Sequence, residues 1–212
     1  MCTVDYFQPF DKLPGEFKPA AIQVDKFSGR SVVVKKDWKG NQYFTLNWED
    51  LTTRVNNYQG DDLAFDKLEN HSISNQKQEV QVMVDKIVEF LKTALSVVLA
   101  DTEIKALAAN ILAAFTDLKQ TESHDWASWS SEEHQSNSSW QYRLLYSVPM
   151  KDSHDKIDPD YFYTLVTTTT LTADISTKSE WWGLEKTTTK NFSADISAME
   201  LVVKRGFKNP PK

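Results

Sequence analysis

Residues 161–205 constrain the fold more than any other stretch, because they hold two long runs whose polarity alternates residue by residue. The first arm reads YFYTLVTTTTLTADIST. Its odd positions carry Tyr161, Tyr163, Leu165, Leu171, Ala173 and Ile175, and its even positions Thr168, Thr170, Thr172, Asp174 and Ser176. A period of two puts these sets on opposite faces of an extended strand. The chain then passes WWGLE and returns as KTTTKNFSADIS, so the pair is predicted to form a hairpin with Trp181 and Trp182 at its tip. An apolar face backed by a hydroxyl face suits an ordinary two-faced strand. It also meets the need of a bilayer-crossing strand for about 9–11 alternating residues. In the second arm Phe192, Ala194, Ile196 and Ala198 are even, whereas Met199, Leu201 and Val203 are odd. This change of phase at Ala198–Met199 predicts a bulge, a bend or a change of partner there.

The rest of the chain supplies what such a hairpin could pack against. Trp140, Tyr142, Leu144, Tyr146 and Val148 alternate with polar residues in another two-faced strand that Pro149 is expected to stop, after a Trp-bearing run holding Trp126 and Trp129. Between Gln76 and Lys119 the period becomes helical. Val80, Met83, Val84, Ile87, Leu91, Leu95 and Val98 form one stripe within a helix over Gln78–Leu99. Ile104, Leu107, Ala108, Ile111, Leu112, Phe115 and Leu118 form a second, capped by Asp101 or Thr102. With only Ala100–Asp101 between them, the two either fold back as an antiparallel pair or make one kinked helix. Upstream, SVVVKKDW, Lys39–Gly40–Asn41 and the run Gln42–Trp48 predict a tight β-hairpin. Asn47 should cap a short helix carrying Trp48, Leu51, Val55 and Tyr58, closed by Gly60, and Asp61–Leu68 reads as another turn or two of helix.

A chain of 212 residues can bury one sizeable core, so a single domain over 1–212 is expected, with 1–120 mainly helical around an N-terminal hairpin and 121–212 mainly β. The net charge of −6 argues against a nucleic-acid partner, which needs a basic footprint. The local exception is the tail, where Lys204, Arg205 and Lys208 are candidate anion contacts. The single cysteine, Cys2, excludes an internal disulfide and a cysteine zinc site. The opening MCTVDYFQPF has no basic and apolar leader pattern, and no segment offers the ~20 apolar residues of a membrane helix, so a soluble product without a signal peptide is expected. Ser-His-Asp occurs at Ser123–Asp125 and Ser153–Asp155, but neighbours in an extended chain point apart and cannot converge as a triad. His124 and His134 lie in no metal-ligand spacing, and no phosphate-cradling glycine motif occurs. No enzyme, cofactor or metal site is therefore expected. Seven tryptophans leave a sugar-stacking, lectin-like module as the alternative to membrane contact.

The runs QPFDKLPGEFKPAAIQV and SVVVKKDWKGNQYFTLNW, followed by the helical pair and the Thr-rich strands, resemble the volvatoxin-like fungal pore-forming cytolysins. In layout the chain is similar, more distantly, to the bacterial insecticidal Cyt δ-endotoxins. The resemblance implies a single-domain, three-layer α/β fold in which helical hairpins cover both faces of an antiparallel sheet. It implies a water-soluble monomer that binds lipid, self-associates and permeabilises membranes, acting extracellularly after release, with no catalytic residue. The partners are then the bilayer of a target cell and further copies of the chain. The candidate membrane contacts are Trp126, Trp129, Trp140, Trp181, Trp182, Tyr161, Tyr163, Leu165, Leu171 and Ile175. Val84, Ile87, Leu91, Leu95, Ile104, Leu107, Ile111 and Phe115 are the candidate cover and self-association residues.

Overall fold

The computed structural model describes residues 13–94, 100–117, 127–131 and 137–210. Helix α1 (Lys18–Gly29) leads to the hairpin β1 (Val32–Lys36) and β2 (Gln42–Leu46), then to α2 (Trp48–Asn56). Gly40 turns that hairpin with φ +83°, a backbone geometry that carries no steric cost without a Cβ. The Asn47 side chain caps α2 by accepting from the Asp50 N–H at 3.1 Å. Both features match the sequence expectation.

Four long strands and one short one then build one antiparallel sheet. They are β3 (Leu63–Glu79), β4 (Ala127–Ser131), β5 (Ser138–Lys151), β6 (Ile157–Ala173) and β7 (Thr189–Lys204), in the order β3-β7-β6-β5-β4. Helices α3 (Val80–Ala94) and α4 (Asp101–Thr116) lie between β3 and β4 in sequence, and the short α5 (Lys178–Trp181) between β6 and β7. Strand β3 corrects the helix expected at Asp61–Leu68. It also moves the start of the first long helix from Gln76–Gln78 to Val80, whose N–H, like that of Gln81, donates to a carbonyl of the segment before β7. The cap of α4 is Ala100, not Asp101 or Thr102, and the Glu103 carboxylate reaches back to the Ala100 N–H at 2.7 Å. Strand β5 likewise does not stop at Pro149, which pairs with Phe162 before the strand shifts register and ends at Lys151.

Alternation divides the core into two clusters on opposite faces of the sheet. On one face α3 and α4 cover Trp140, Tyr142, Leu144, Leu165, Leu171, Phe192, Ala194, Ile196 and Ala198. On the other, α1 and α2 cover Leu145, Phe162, Val166, Met199, Leu201 and Val203. The helices thus sandwich the sheet in three layers, as expected. The phase change at Ala198–Met199 has a different origin from the one expected. Strand β7 pairs with β6 without a register shift from Tyr161↔Lys204 to Ala173↔Phe192, so there is no bulge at that point. Its even face is buried at one end by α3 and α4, and its odd face at the other end by α1 and α2. The register shifts between β7 and its other neighbour lie on β3, between Phe65 and Lys67 and between Ile73 and Gln76.

Candidate membrane-contact surface

The α3–α4 layer rests on the sheet through apolar side chains. Val84, Ile87, Leu91, Leu107, Ile111 and Phe115 are buried in the shared cluster and Ile104 packs against it half-buried, while Leu95 lies outside the described residues. The Phe115 ring meets that of Tyr142 edge-on at 6.0 Å between centroids. Burial pushes the Tyr142 hydroxyl far above its ordinary range, against a lowering hydrogen bond from Thr169, so it stays neutral. Among the described residues, few polar ties cross the seam. The Tyr146 hydroxyl donates to the Glu103 carbonyl at 3.3 Å, and Lys86 donates to the Gln78 side chain at 2.9 Å. The Gln78 amide also donates to the Met83 sulfur, and the His71 ring stacks on Phe90 with centroids 5.0 Å apart. Burial, with the Glu103 charge second, raises the Tyr146 hydroxyl to about 12. This seam depends on excluding water, not on directed bonds.

Beneath it, Leu165, Leu171 and Ile175 are buried and Tyr163 is half-buried in the same cluster. Tyr161 lies at the end of the β6–β7 pairing, under the Lys204 ammonium at 5.9 Å from its ring centroid. The opposite, hydroxyl face is only partly covered. Thr168 is 5% exposed and accepts from the Trp48 indole N–H at 3.0 Å, whereas Thr170 and Thr172 are half-buried. Those two bond along the row, to Gln141 at 2.9 Å and to Ser139 at 2.8 Å.

The tryptophans are placed differently from the expectation of an exposed strand tip. Trp181 is 1% exposed and donates to the Ser138 hydroxyl at 2.7 Å, and Trp140, at 0%, lies 6.4 Å from it by ring centroids. Both are core residues in this form, so either must leave the core before it can serve as an interfacial anchor. Trp129 is half-buried, Trp182 is 40% exposed, and Trp126 lies outside the described residues. In the tail, Lys204 and Arg205 face Asp61 and Asp160, each at 3.8 Å, while Lys208 is exposed. Ser153, His154 and Asp155 sit in an exposed turn. Ser123–Asp125 and His134 lie outside the described residues.

The most exposed large apolar side chains among the described residues were not on the sequence-derived list. They are Val34 and Trp38, each 54% exposed, and both belong to the β1–β2 hairpin, Val34 in the middle of β1 and Trp38 in the turn. Lys35, Lys36 and Lys39 beside them are exposed, with the Lys39 ammonium 5.1 Å from the Trp38 ring centroid. The signal that could have found the tip is the clustering of one Trp with three lysines around a single acid in a predicted turn.

Residues 45–159 match the family model described as Bacillus thuringiensis toxin, just over half of the chain. The chain belongs to that family. It is 31% identical over 78 residues to the type-1Ba cytolytic delta-endotoxin of Bacillus thuringiensis subsp. neoleoensis, covering 36% of this chain and 29% of that relative. It is 29% identical over 77 residues to the type-1Aa cytolytic delta-endotoxin of Bacillus thuringiensis subsp. morrisoni, covering 36% of this chain and 30% of the relative. These alignments span less than a third of either relative's own length. Whole folds agree more widely. A solved delta-endotoxin superposes with a TM-score of 0.76 at 18% identity, covering 100% of this chain and 85% of its own. The activated Cyt2Ba monomer from Bacillus thuringiensis subsp. israelensis superposes with a TM-score of 0.75 at 17% identity, covering 94% of this chain and 98% of its own. Both establish the single-domain α/β architecture. They carry the bacterial side of the resemblance drawn from the sequence, and the fungal side rests on the sequence runs alone.

Proposed function

We propose that this chain is a cytolysin, as its relatives are named, and that it acts by forming pores. It meets a bilayer as a water-soluble monomer, self-associates there and permeabilises the membrane. The observation that carries this reading is the seam between α3–α4 and the sheet, built from apolar side chains and, among the described residues, tied by few hydrogen bonds. Lipid chains can replace the helices against Leu165, Leu171 and Ile175 at little cost in apolar free energy, because both environments exclude water. The hydroxyls of Thr170 and Thr172 then face water within an assembly, joined by that of Thr168 once the Trp48 indole is released from it. A single inserted hairpin would leave unpaired backbone edges in hydrocarbon, so several copies must close the sheet before it is stable. No residue is given a catalytic role.

The test is a reversible lock. In a Cys2→Ser background, His71→Cys and Phe90→Cys replace the stacked rings that join β3 to α3, and a bis-methanethiosulfonate cross-linker bridges them through two reducible disulfides, releasing sulfinate. The bridged protein is expected to bind phosphatidylcholine vesicles, to release no trapped dye, and to release it once the bridge is reduced. Release from the bridged form at the native rate would refute the moving-layer mechanism. Release with no dependence on solute size would assign the leakage to detergent-like disruption by surface-lying helices.

A further inference from the structure

We infer that the tip of the β1–β2 hairpin is the first landing site on the membrane, a docking surface for a bilayer carrying anionic headgroups. This rests on the cytolysin reading and names the surface through which it begins. Three observations converge. The two most exposed large apolar side chains among the described residues are Trp38 in the turn and Val34 four residues earlier, in the middle of β1. Indole rings settle at the headgroup level, where an apolar body and a polar N–H are both accommodated. Lys35, Lys36 and Lys39 surround them, all exposed, in a chain whose net charge is −6.

The third observation concerns the single acid of the tip. The Asp37 carboxylate is occupied by five donors: the Lys39 N–H, the Asn41 N–H and side-chain amide, and the Ser131 N–H and hydroxyl, at 2.8–3.1 Å. It is therefore turned inward and leaves the lysine charge to face outward. The same bonds fix the turn to the edge of β4, so the tip is presented rigidly and loses little conformational entropy on docking. The Lys39 ammonium over the Trp38 ring keeps charge and apolar surface together, as an interfacial contact requires. An acidic protein would otherwise be repelled by an anionic leaflet, and a local basic patch with an interfacial aromatic overcomes that repulsion. A nucleic-acid partner is disfavoured because the patch is small and the remainder of the chain acidic.

The full-length protein is tested by co-sedimentation with phosphatidylcholine vesicles, with and without phosphatidylserine, alongside dye release. Lys35→Gln, Lys36→Gln and Lys39→Gln are each expected to weaken binding to the phosphatidylserine vesicles about fivefold at low salt, and together about a hundredfold. The effect should shrink as the Debye length contracts. Trp38→Ala with Val34→Ser is expected to weaken binding to both vesicle types. All these positions are solvent-exposed, and unchanged melting temperatures will show that the fold is intact. As a second measurement, an environment-sensitive dye on Val34→Cys in the Cys2→Ser background should shift to the blue when vesicles are added. If the native protein binds and leaks while these variants match it, the landing site is refuted and the cytolysin reading stands. If the native protein neither binds nor leaks on either vesicle, both fall together. A blue shift that follows protein concentration without lipid would assign the tip to a second copy of the chain and refute the membrane as its partner.

Discussion

Phe115→Leu separates a moving helical layer from general instability. Phe115 is fully buried in α4, and its ring meets Tyr142 of β5 at 6.0 Å, so its contacts cross the seam that would have to open. Leucine keeps the site apolar but gives up roughly 40 Å² of buried surface, worth about 1 kcal/mol at ~25 cal/mol/Å². The lost ring pair adds about another 1 kcal/mol. For a domain of this size ~2 kcal/mol lowers the melting temperature by about 4–8 °C. If the layer detaches at the membrane, the same ~2 kcal/mol favours detachment about thirtyfold, and vesicle leakage should quicken by up to that factor. The matched control is Phe17→Leu. Phe17 is equally buried, on the other face of the sheet, with its ring 5.2 Å from Phe162. It should cost similar stability and leave the leakage rate unchanged at temperatures well below both transitions. Leakage measured by dequenching, beside thermal melts of both variants, decides the matter. Equal acceleration by the two variants, or none by Phe115→Leu, refutes detachment of the α3–α4 layer.

Two further outcomes follow from named contacts. Burial pulls the Asp37 carboxyl upward, but hydrogen bonds from Asn41 and Ser131 outweigh it and hold the group down at about 2 against 3.8 for the ordinary aspartate. A depressed folded-state value stabilises the protein above the unfolded-state value and loses that contribution as pH falls through the folded one. The protection factors of the Lys39 and Asn41 amides, each exchange rate divided by the intrinsic rate at that pH, should therefore be flat down to about pH 4 and fall between about pH 4 and 2, and Asp37→Asn should abolish the pH step. Trp181→Phe should cost about 1–3 kcal/mol by leaving the buried Ser138 hydroxyl without its indole donor. Thermal melting checks it, and Trp182→Ala, at an exposed position, should leave the melt within ~0.5 kcal/mol.

The elements legible in the sequence were those whose periodicity is dictated by one dominant neighbour. Helices α3 and α4 each bury a single stripe, and the odd face of β6 lies under them, so their patterns survive in the sequence. Strand β3 gave no such signal for a physical reason. It is the edge of the sheet, only Leu63, Ile73 and Gln78 of its seventeen residues are buried, and two register shifts break the alternation that remains. An exposed edge is under little pressure to alternate, and polar residues there discourage unwanted pairing. The phase change on β7 was visible, but sequence alone could not show that two separate layers produce it by covering opposite faces at opposite ends.

The tryptophans mark a different limit. A Trp beside a predicted turn reads equally well as an anchor or as a core residue, and what separates the two is whether the indole N–H finds an acceptor inside the protein. Trp181 has one in Ser138, which in turn donates to the Ile175 carbonyl at 2.5 Å, so the turn that looked like an exposed tip is folded back onto the end of β5. Trp38 accepts the Lys39 ammonium over its face instead and remains half outside the protein. The consequence for mechanism is an order of events. The surface ready to meet lipid is the β1–β2 tip, beside β4, whereas the apolar residues of β6 become available only when α3 and α4 leave. Docking and insertion then belong to different elements, and a variant that blocks one should leave the other measurable. Tip variants should lose binding and leakage in proportion, whereas the bridged His71→Cys/Phe90→Cys protein should keep full binding with no leakage.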